Sequence, residues 1–433
     1  MPPLLQEAID AVRIVVCHNY YQYAGGEDRV FEEEARLLAA HGHHVVTYTK
    51  HNDAVDGMRP WSLAAKTIWN RQSARELGEL VRRERADIVH FHNTLPLISP
   101  AAYYAARRAG AAVVQTLHNV RLVCPKATFF REGRPCESCL GKVVPLPAIR
   151  HACYRDSRAA TAAIVAMLTF HRARGTYREA VDAYVALSEF SRDKLVAGGV
   201  PAGKIHLKPN SLLQDPGLGL GGGDYFLYVG RLSAEKGVET LLEAWNRDAS
   251  LPALKIVGDG PLASQVETAA GRDARIEWCG HLPSDEVNRL LGAAIALVLP
   301  SVCYEAFPRT IVEAYAVGTP VLASRLGSMQ ELVDEGRTGW KFTAGDASDL
   351  AAKVRHVVAT SAAERAAFGR RAREVFDARF GSSQNVARLL EIYAEALRVR
   401  HGVATVERNV AVDYSGASRD TSPLELESQV CTR

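Results

Sequence analysis

The chain has 433 residues, 47% of them apolar and 23% charged, and a formal net charge of +3. That length is too great for one ordinary domain, and the near-neutral charge gives no case for nucleic-acid binding. No run of about 18 apolar residues is present, which argues against a membrane-spanning helix. The opening Met1-Pro2-Pro3-Leu4-Leu5-Gln6-Glu7 lacks the basic start and apolar core of a secretory signal, so a cytoplasmic setting is expected.

Taken in chain order, Arg13 to Cys17 reads as a buried strand and Glu27 to His41 as a helix, with Phe31, Ala35 and Leu38 at helical spacing. Strand-like runs follow at His44 to Thr49, Asp87 to His92, Ala112 to Leu117 and Ala183 to Leu187. Continuous apolar strands separated by helices imply a parallel sheet covered on both faces. Residues 209–224 are rich in Gly and Pro, have no periodicity, and read as a flexible linker. A second series starts with a strand at Tyr225 to Val229, then a helix carrying Val238, Leu241, Leu242 and Trp245 on one face. Further strands are expected at Leu254 to Val257, Ala296 to Leu299 and Val321 to Ser324, with Ser284 capping a helix between them. Two α/β domains are therefore expected, 11–208 and 225–380, with a cysteine-bearing insertion at 121–155. A helix at 381–400 would return to the first domain, and 401–433 reads as a disordered tail. Ligand sites in such folds lie where the carboxyl ends of the sheets face a common cleft.

In the second domain, Gly230-Arg231-Leu232-Ser233-Ala234-Glu235-Lys236-Gly237 follows a strand and opens a helix. Two cations beside the positive end of a helix dipole suit a diphosphate, the alternative being a solvated basic turn. In Glu305-Ala306-Phe307-Pro308-Arg309-Thr310-Ile311-Val312-Glu313, Pro308 fits the first turn of a helix, so Phe307, Arg309 and Thr310 offer peptide N–H groups at its start. Glu305 and Glu313 flank that turn. Carboxylates do not hold phosphate, so as ligand contacts they would serve hydroxyls; as a random pair they would be two surface charges.

These motifs, with Val257-Gly258-Asp259-Gly260-Pro261 and Gly318-Thr319-Pro320-Val321 in the same order, resemble family four of the retaining glycosyltransferases, which adopt the GT-B fold of two Rossmann-like domains facing a central cleft. Arg309 stands where that family often has Gly. The resemblance implies that Arg231 and Lys236 hold a nucleoside diphosphate sugar by its diphosphate. It implies that Glu305 binds sugar hydroxyls and Glu313 the ribose. The backbone at Phe307, Arg309 and Thr310 would hold the sugar and distal phosphate, and Gly280, His281 and Leu282 would meet the base. In the first domain, Gly25 and Gly26 resemble the family's Gly-Gly loop near the donor phosphate and acceptor. His118 matches a His close to the reacting sugar, although the family often has Asp where this chain has Asn119. The implied mechanism is a front-face displacement with retention, the leaving diphosphate stabilised by the cations; no Asp-x-Asp metal motif occurs and no cofactor is expected to be required for catalysis. His90 and His92 would line the acceptor side. The acceptor would be a carbohydrate or a lipid-linked one. Rival expectations are a sugar-nucleotide epimerase and a non-catalytic GT-B partner.

Cys124-x11-Cys136-x2-Cys139-x13-Cys153 has the shape of a four-thiolate structural zinc site. The segment from Lys142 to Arg178 carries Arg150, Arg155, Arg158, Arg172 and Arg174 around the apolar stretch Ala159 to Phe170. It reads either as a helix packed on its own domain or as a peripheral contact with an anionic membrane.

Overall fold

The computed structural model describes residues 12–22 and 25–402. Apolar runs form β1 (Arg13–Tyr20), β2 (His44–His51), β3 (Ile88–Phe91) and β4 (Ala112–Leu117). A short antiparallel hairpin follows, of β5 (Phe130–Arg131) and β6 (Arg134–Pro135), and then β7 (Ala183–Ala186) and β8 (Ile205–Leu207). Apart from the hairpin these strands make one parallel sheet in the order β2-β1-β3-β4-β7-β8. Successive residues of a strand point to opposite faces. Ile14 and Val16 accordingly join a core with Phe31 and Leu38, while Val15 and Cys17 join the opposite core with Leu77 and Phe91.

The second sheet comprises β9 (Tyr225–Val229), β10 (Ala253–Val257), β11 (Ile276–Gly280), β12 (Ala296–Leu299), β13 (Val321–Ser324) and β14 (Gly339–Phe342). It too is parallel, in the order β11-β10-β9-β12-β13-β14. Leu227 and Leu297 face one core, Phe226 and Val298 the other. Strand order reverses between β9 and β12, and in the first sheet between β1 and β3. Loops leaving the carboxyl ends of those neighbours diverge and open a crevice. The chain thus folds as two α/β Rossmann-like units, as its strand pattern predicts.

The Ser382–His401 helix packs on the first sheet, where Leu389, Ile392, Tyr393 and Ala396 share a core with Ile14, Val16 and Val114. Burial of a Leu or Ile side chain contributes roughly 2 kcal/mol, so Leu389 and Ile392 alone make this helix integral to the first unit. Beyond Gly402 the expected disordered tail lies outside the described residues.

Several local expectations are corrected. The Gly-rich segment 209–224 is docked along the second unit: Gly219 N–H donates to Val317 O at 2.9 Å and Gly221 N–H to Gly292 O at 2.8 Å. A Cβ on Gly219 would meet the Gly292 backbone at 2.2 Å, and one on Gly223 would meet Ala293 O at 1.9 Å. Glycine here permits close approach of two backbones. Pro308 is the N-cap of the Arg309–Ala316 helix and lies just outside its first turn. Ser284 is the first residue of its helix, with Pro283 at the cap. In keeping with the packed-helix reading, the apolar stretch in the basic segment becomes the Arg158–Ala173 helix, which buries Ile164, Val165, Met167 and Leu168 in its own domain. Arg172 there donates to the carbonyls of Lys142, Val143 and Leu122.

Candidate active site

At the reversal of the second sheet, the loop after β9 and the loop after β12 bring two of the expected residues into contact. Lys236 Nζ donates to Glu305 Oε1 at 2.6 Å and Oε2 at 2.9 Å. Ser301 Oγ–H also donates to Glu305 Oε1, at 2.7 Å, and Ser328 Oγ–H donates to the Glu305 carbonyl at 2.7 Å. Burial opposes the Lys236 charge, but the Glu305 carboxylate outweighs it and lifts the lysine pKa above its ordinary value. Close contact between the two loops requires Gly237: its φ is +73°, and a Cβ would meet Pro300 O at 1.8 Å. Arg231 stands exposed in the same loop, its carbonyl accepting from Tyr228 OH at 2.8 Å.

Glu313 is reached differently from expectation. Arg309 Nε donates to Glu313 Oε1 at 3.1 Å, one helical turn away, and Arg309 Nη2 donates to Glu33 Oε1 at 2.8 Å. Glu33 lies in the Gly26–Ala40 helix, so the guanidinium ties the two units together across the crevice. Phe307 points its ring into the second core against Phe380, with 6.0 Å between ring centroids. Thr310 sits in the first turn of the helix, where amide groups have no intrahelical acceptor. Ala306 O accepts from Ser188 Oγ at 2.9 Å and Ser191 Oγ at 3.2 Å, a second clamp from the first unit. Gly280 ends β11, its carbonyl accepting from Gly258 N–H at 2.7 Å; His281 is exposed and Leu282 packs on the second core.

In the first unit, Gly25 and Gly26 begin the Gly26–Ala40 helix. The loop is fixed by Asp28, which accepts from Gly25 N–H at 2.8 Å and lies 2.6 Å from His18 Nε2. His118 follows β4 and lines a pocket with His92, Asn119 and Glu27. His118 Nε2 lies 2.8 Å from His92 Nδ1. His92 Nε2 in turn lies 3.1 Å from Glu34 Oε1, and Glu34 Oε2 accepts from Lys208 Nζ at 2.7 Å. A carboxylate beside His92 Nε2 favours the proton there. His92 Nδ1 then accepts from His118 Nε2–H, and His118 keeps Nδ1 as an acceptor. Burial drives both imidazoles toward the neutral form: the His92 pKa falls to about 4 and that of His118 falls well below its ordinary value. His90, expected on the acceptor side, is instead fully buried between Tyr393 OH and Thr116 Oγ1.

Glu27 is a site residue the sequence did not single out. Burial pushes its carboxyl up to about 7, with partial relief from His18 and Tyr21. Tyr21 OH donates to it at 3.0 Å and Asn119 Nδ2 at 3.3 Å. An Asp at position 119 would set a second carboxylate there, so the departure at Asn119 was the available signal.

Among the described residues, three ligand atoms approach within 4.8 Å of one another only at Glu34, His90 and His92. Lys208 already neutralises Glu34 there, so that group is a hydrogen-bonded support. Cys124, Cys136, Cys139 and Cys153 converge on one small pocket as free thiols.

Residues 24–212 match the family described as Glycosyltransferase Family 4, and residues 223–360 match Glycosyl transferases group 1. The chain is 33% identical over 186 residues to the amylovoran biosynthesis glycosyltransferase AmsK of Erwinia amylovora, an alignment spanning 38% of this chain and 45% of AmsK, less than half of that relative. It is 29% identical over 303 residues to the 2-deoxystreptamine glucosyltransferase of Streptomyces kanamyceticus, spanning 67% of this chain and 73% of that one. Anabaena Alr3699/HepE, solved in complex with UDP-glucose, superposes with a TM-score of 0.63 at 17% identity over 88% of this chain and 99% of its own. With one family match on each sheet and the fold common to both, the chain belongs to the GT-B glycosyltransferases of family four, group 1.

Proposed function

We propose that this chain transfers a sugar from a nucleoside diphosphate sugar to a hydroxyl acceptor, with retention at the anomeric carbon, in polysaccharide or glycolipid assembly. The observation that carries this reading is the Lys236–Glu305 clasp at the reversal of the second sheet, beside the start of the Arg309–Ala316 helix. Lys236 and Arg231 neutralise the diphosphate as the bond from its oxygen to the anomeric carbon breaks. The amides of Phe307, Arg309 and Thr310 add partial positive charge at the distal phosphate and sugar. Glu305 accepts from sugar hydroxyls and Glu313 from the ribose, while Gly280, His281 and Leu282 receive the base. The acceptor oxygen forms its new bond on the face the diphosphate leaves, and its proton passes to the departing phosphate oxygen. His118 Nδ1, neutral and aprotic, accepts a hydrogen bond beside the reacting sugar, with Gly25 and Gly26 giving the acceptor side its close backbone. The UDP-glucose complex of Alr3699/HepE and the name of AmsK support the donor class and the polysaccharide role.

The test is a panel of UDP- and GDP-sugars scored by thermal shift and hydrolysis, then transfer to lipid-linked acceptors with the product anomer read by NMR. No stabilisation by any nucleoside diphosphate sugar would sink the donor reading, and an inverted product would sink retention.

We also infer a peripheral membrane contact near the acceptor. Val143, Val144, Leu146 and Phe170 are exposed, and Arg172 ties Val143 to the helix that carries Phe170. No helix among the described residues is long and apolar enough to cross a membrane. Flotation with vesicles containing anionic lipid, lost on Leu146→Ser with Phe170→Ser, is the expected result; no flotation of the unaltered protein would overturn it.

A further inference from the structure

The cysteine-bearing segment joins the main core of the first unit through Val123, Cys124 and Phe129, with Leu122, Leu140 and Tyr154 packed against it, and the remainder is rich in strain. Its own small cluster is Cys139, Ala148 and Val165, edged by Ile149 and Cys153. Of the eight non-glycine residues with positive φ among the described residues, six fall between 127 and 156: Ala127, Phe129, Glu132, Ala152, Arg155 and Asp156. Each such conformation is unfavourable for an L-residue and persists only where the surroundings fix it. The main core fixes Phe129, and none of the other five belongs to a buried cluster.

The four thiols do stand where a cross-link would act. Cys124 closes a turn with its N–H on Val120 O at 2.8 Å. Cys136 leaves the β5–β6 hairpin with its N–H on Phe129 O at 2.6 Å, and Cys139 follows within the same loop. Cys153 comes back after the Leu146–Arg150 helix, its N–H on Ala148 O at 3.0 Å. All four line one pocket, together with Lys126 and Arg131. Four thiolates around a divalent ion carry a net charge of minus two, which those two cations offset.

We propose that Cys124, Cys136, Cys139 and Cys153 bind one zinc ion as thiolates, releasing their protons, and that this ion holds a buttress for the donor loop. Bonds of about 2.3 Å draw the four sulphurs inward from their present places around the pocket. The buttress is Glu137, between Cys136 and Cys139. Its carboxylate accepts from Lys194 Nζ at 2.6 Å. The same Lys194 Nζ stands 5.4 Å from the centroid of the Tyr304 ring. Tyr304 is the neighbour of Glu305, and its ring packs on Phe129 at 6.0 Å and Phe190 at 4.8 Å. The site is a structural one with no part in bond making. Only the buttress clause rests on the proposed donor role of Glu305.

The test begins with metal content, which needs no transferase assay. Protein from zinc-supplemented medium, purified with reductant and without chelator, should hold about one zinc per chain. Less than about a third of a zinc, a comparable content of iron, or two disulfides by mass under non-reducing conditions would overturn the proposal. The Cys136→Ser, Cys139→Ser double variant should lose the zinc; retention would place the metal elsewhere. Because that variant risks misfolding, Glu137→Gln tests the buttress separately. It should keep full zinc and raise the donor KM about threefold at unchanged kcat, the scale of one half-exposed ion pair. An unchanged KM with zinc in place would overturn the buttress and leave the metal site standing.

Discussion

The two units solve the same task with opposite electrostatics. The second places a lysine and a glutamate at the mouth of the crevice, paired with each other and partly exposed, with side-chain exposures of 32% and 13%. The first buries the Glu34–Lys208 pair and shows its pocket the neutral imidazole of His118 beside the raised carboxyl of Glu27. On the proposed function, the contrast matches what each side would meet. A diphosphate needs cations that can change partners without large reorganisation. An acceptor hydroxyl needs a hydrogen-bond acceptor that carries no charge to repel it or to be desolvated.

The largest expected effect tests the hidden charges. Glu34→Ala leaves Lys208 buried without its carboxylate and should cost about 3–5 kcal/mol in urea unfolding; a loss below about 1 kcal/mol would break the contrast. Next come Lys236→Ala and Glu305→Gln, each expected to lower turnover at least about a hundredfold, near 2.7 kcal/mol, with little change in the unfolding midpoint. Near-normal turnover in both would mean that the open clasp is not the donor site.

Glu27→Gln probes the boundary between the two designs. The Glu27 carboxyl is raised from 4.5 to about 7, so the folded state holds its proton more tightly than the unfolded chain. Stability from this group is full below about pH 4.5 and falls as pH rises toward 7. The variant should therefore be more stable than the parent at pH 8, by about 2 kcal/mol once partial exposure is allowed for, and equal to it at pH 4. An equal difference at both pH values would show that packing and not ionisation is at work. The smallest effect is expected from Glu33→Gln, which weakens the tie to Arg309. The donor KM should rise a fewfold, about 1 kcal/mol or less, at unchanged kcat.

Much of the fold was legible because buried parallel strands read as continuous apolar runs. Those the sequence did not announce, β8, β11 and β14, all lie at sheet edges. There the pattern breaks: Glu277 in β11 faces outward to pair with Lys255 at 2.7 Å, and Lys341 interrupts β14. The Lys236–Glu305 contact could be anticipated because both residues sit on short, ordered motifs. The Arg309–Glu33 pair spans 276 positions and the His92–His118 contact spans 26, and no local pattern encodes either. Arg309 itself stood out only as a departure, and the reason for it lay in the other unit.

The Ser382–His401 helix has a consequence for how the protein is made. Asn385 Oδ1 accepts from Lys208 Nζ across 177 positions, and Tyr393 OH reaches His90 across 303. At about 5–20 residues per second, translation from Lys208 to Asn385 takes on the order of 10–35 s. Throughout that interval Ile14, Val16 and Val114 lack the cover of Leu389, Ile392, Tyr393 and Ala396, and Lys208 lacks Asn385. The first unit therefore completes its core only once the Ser382–His401 helix has been made.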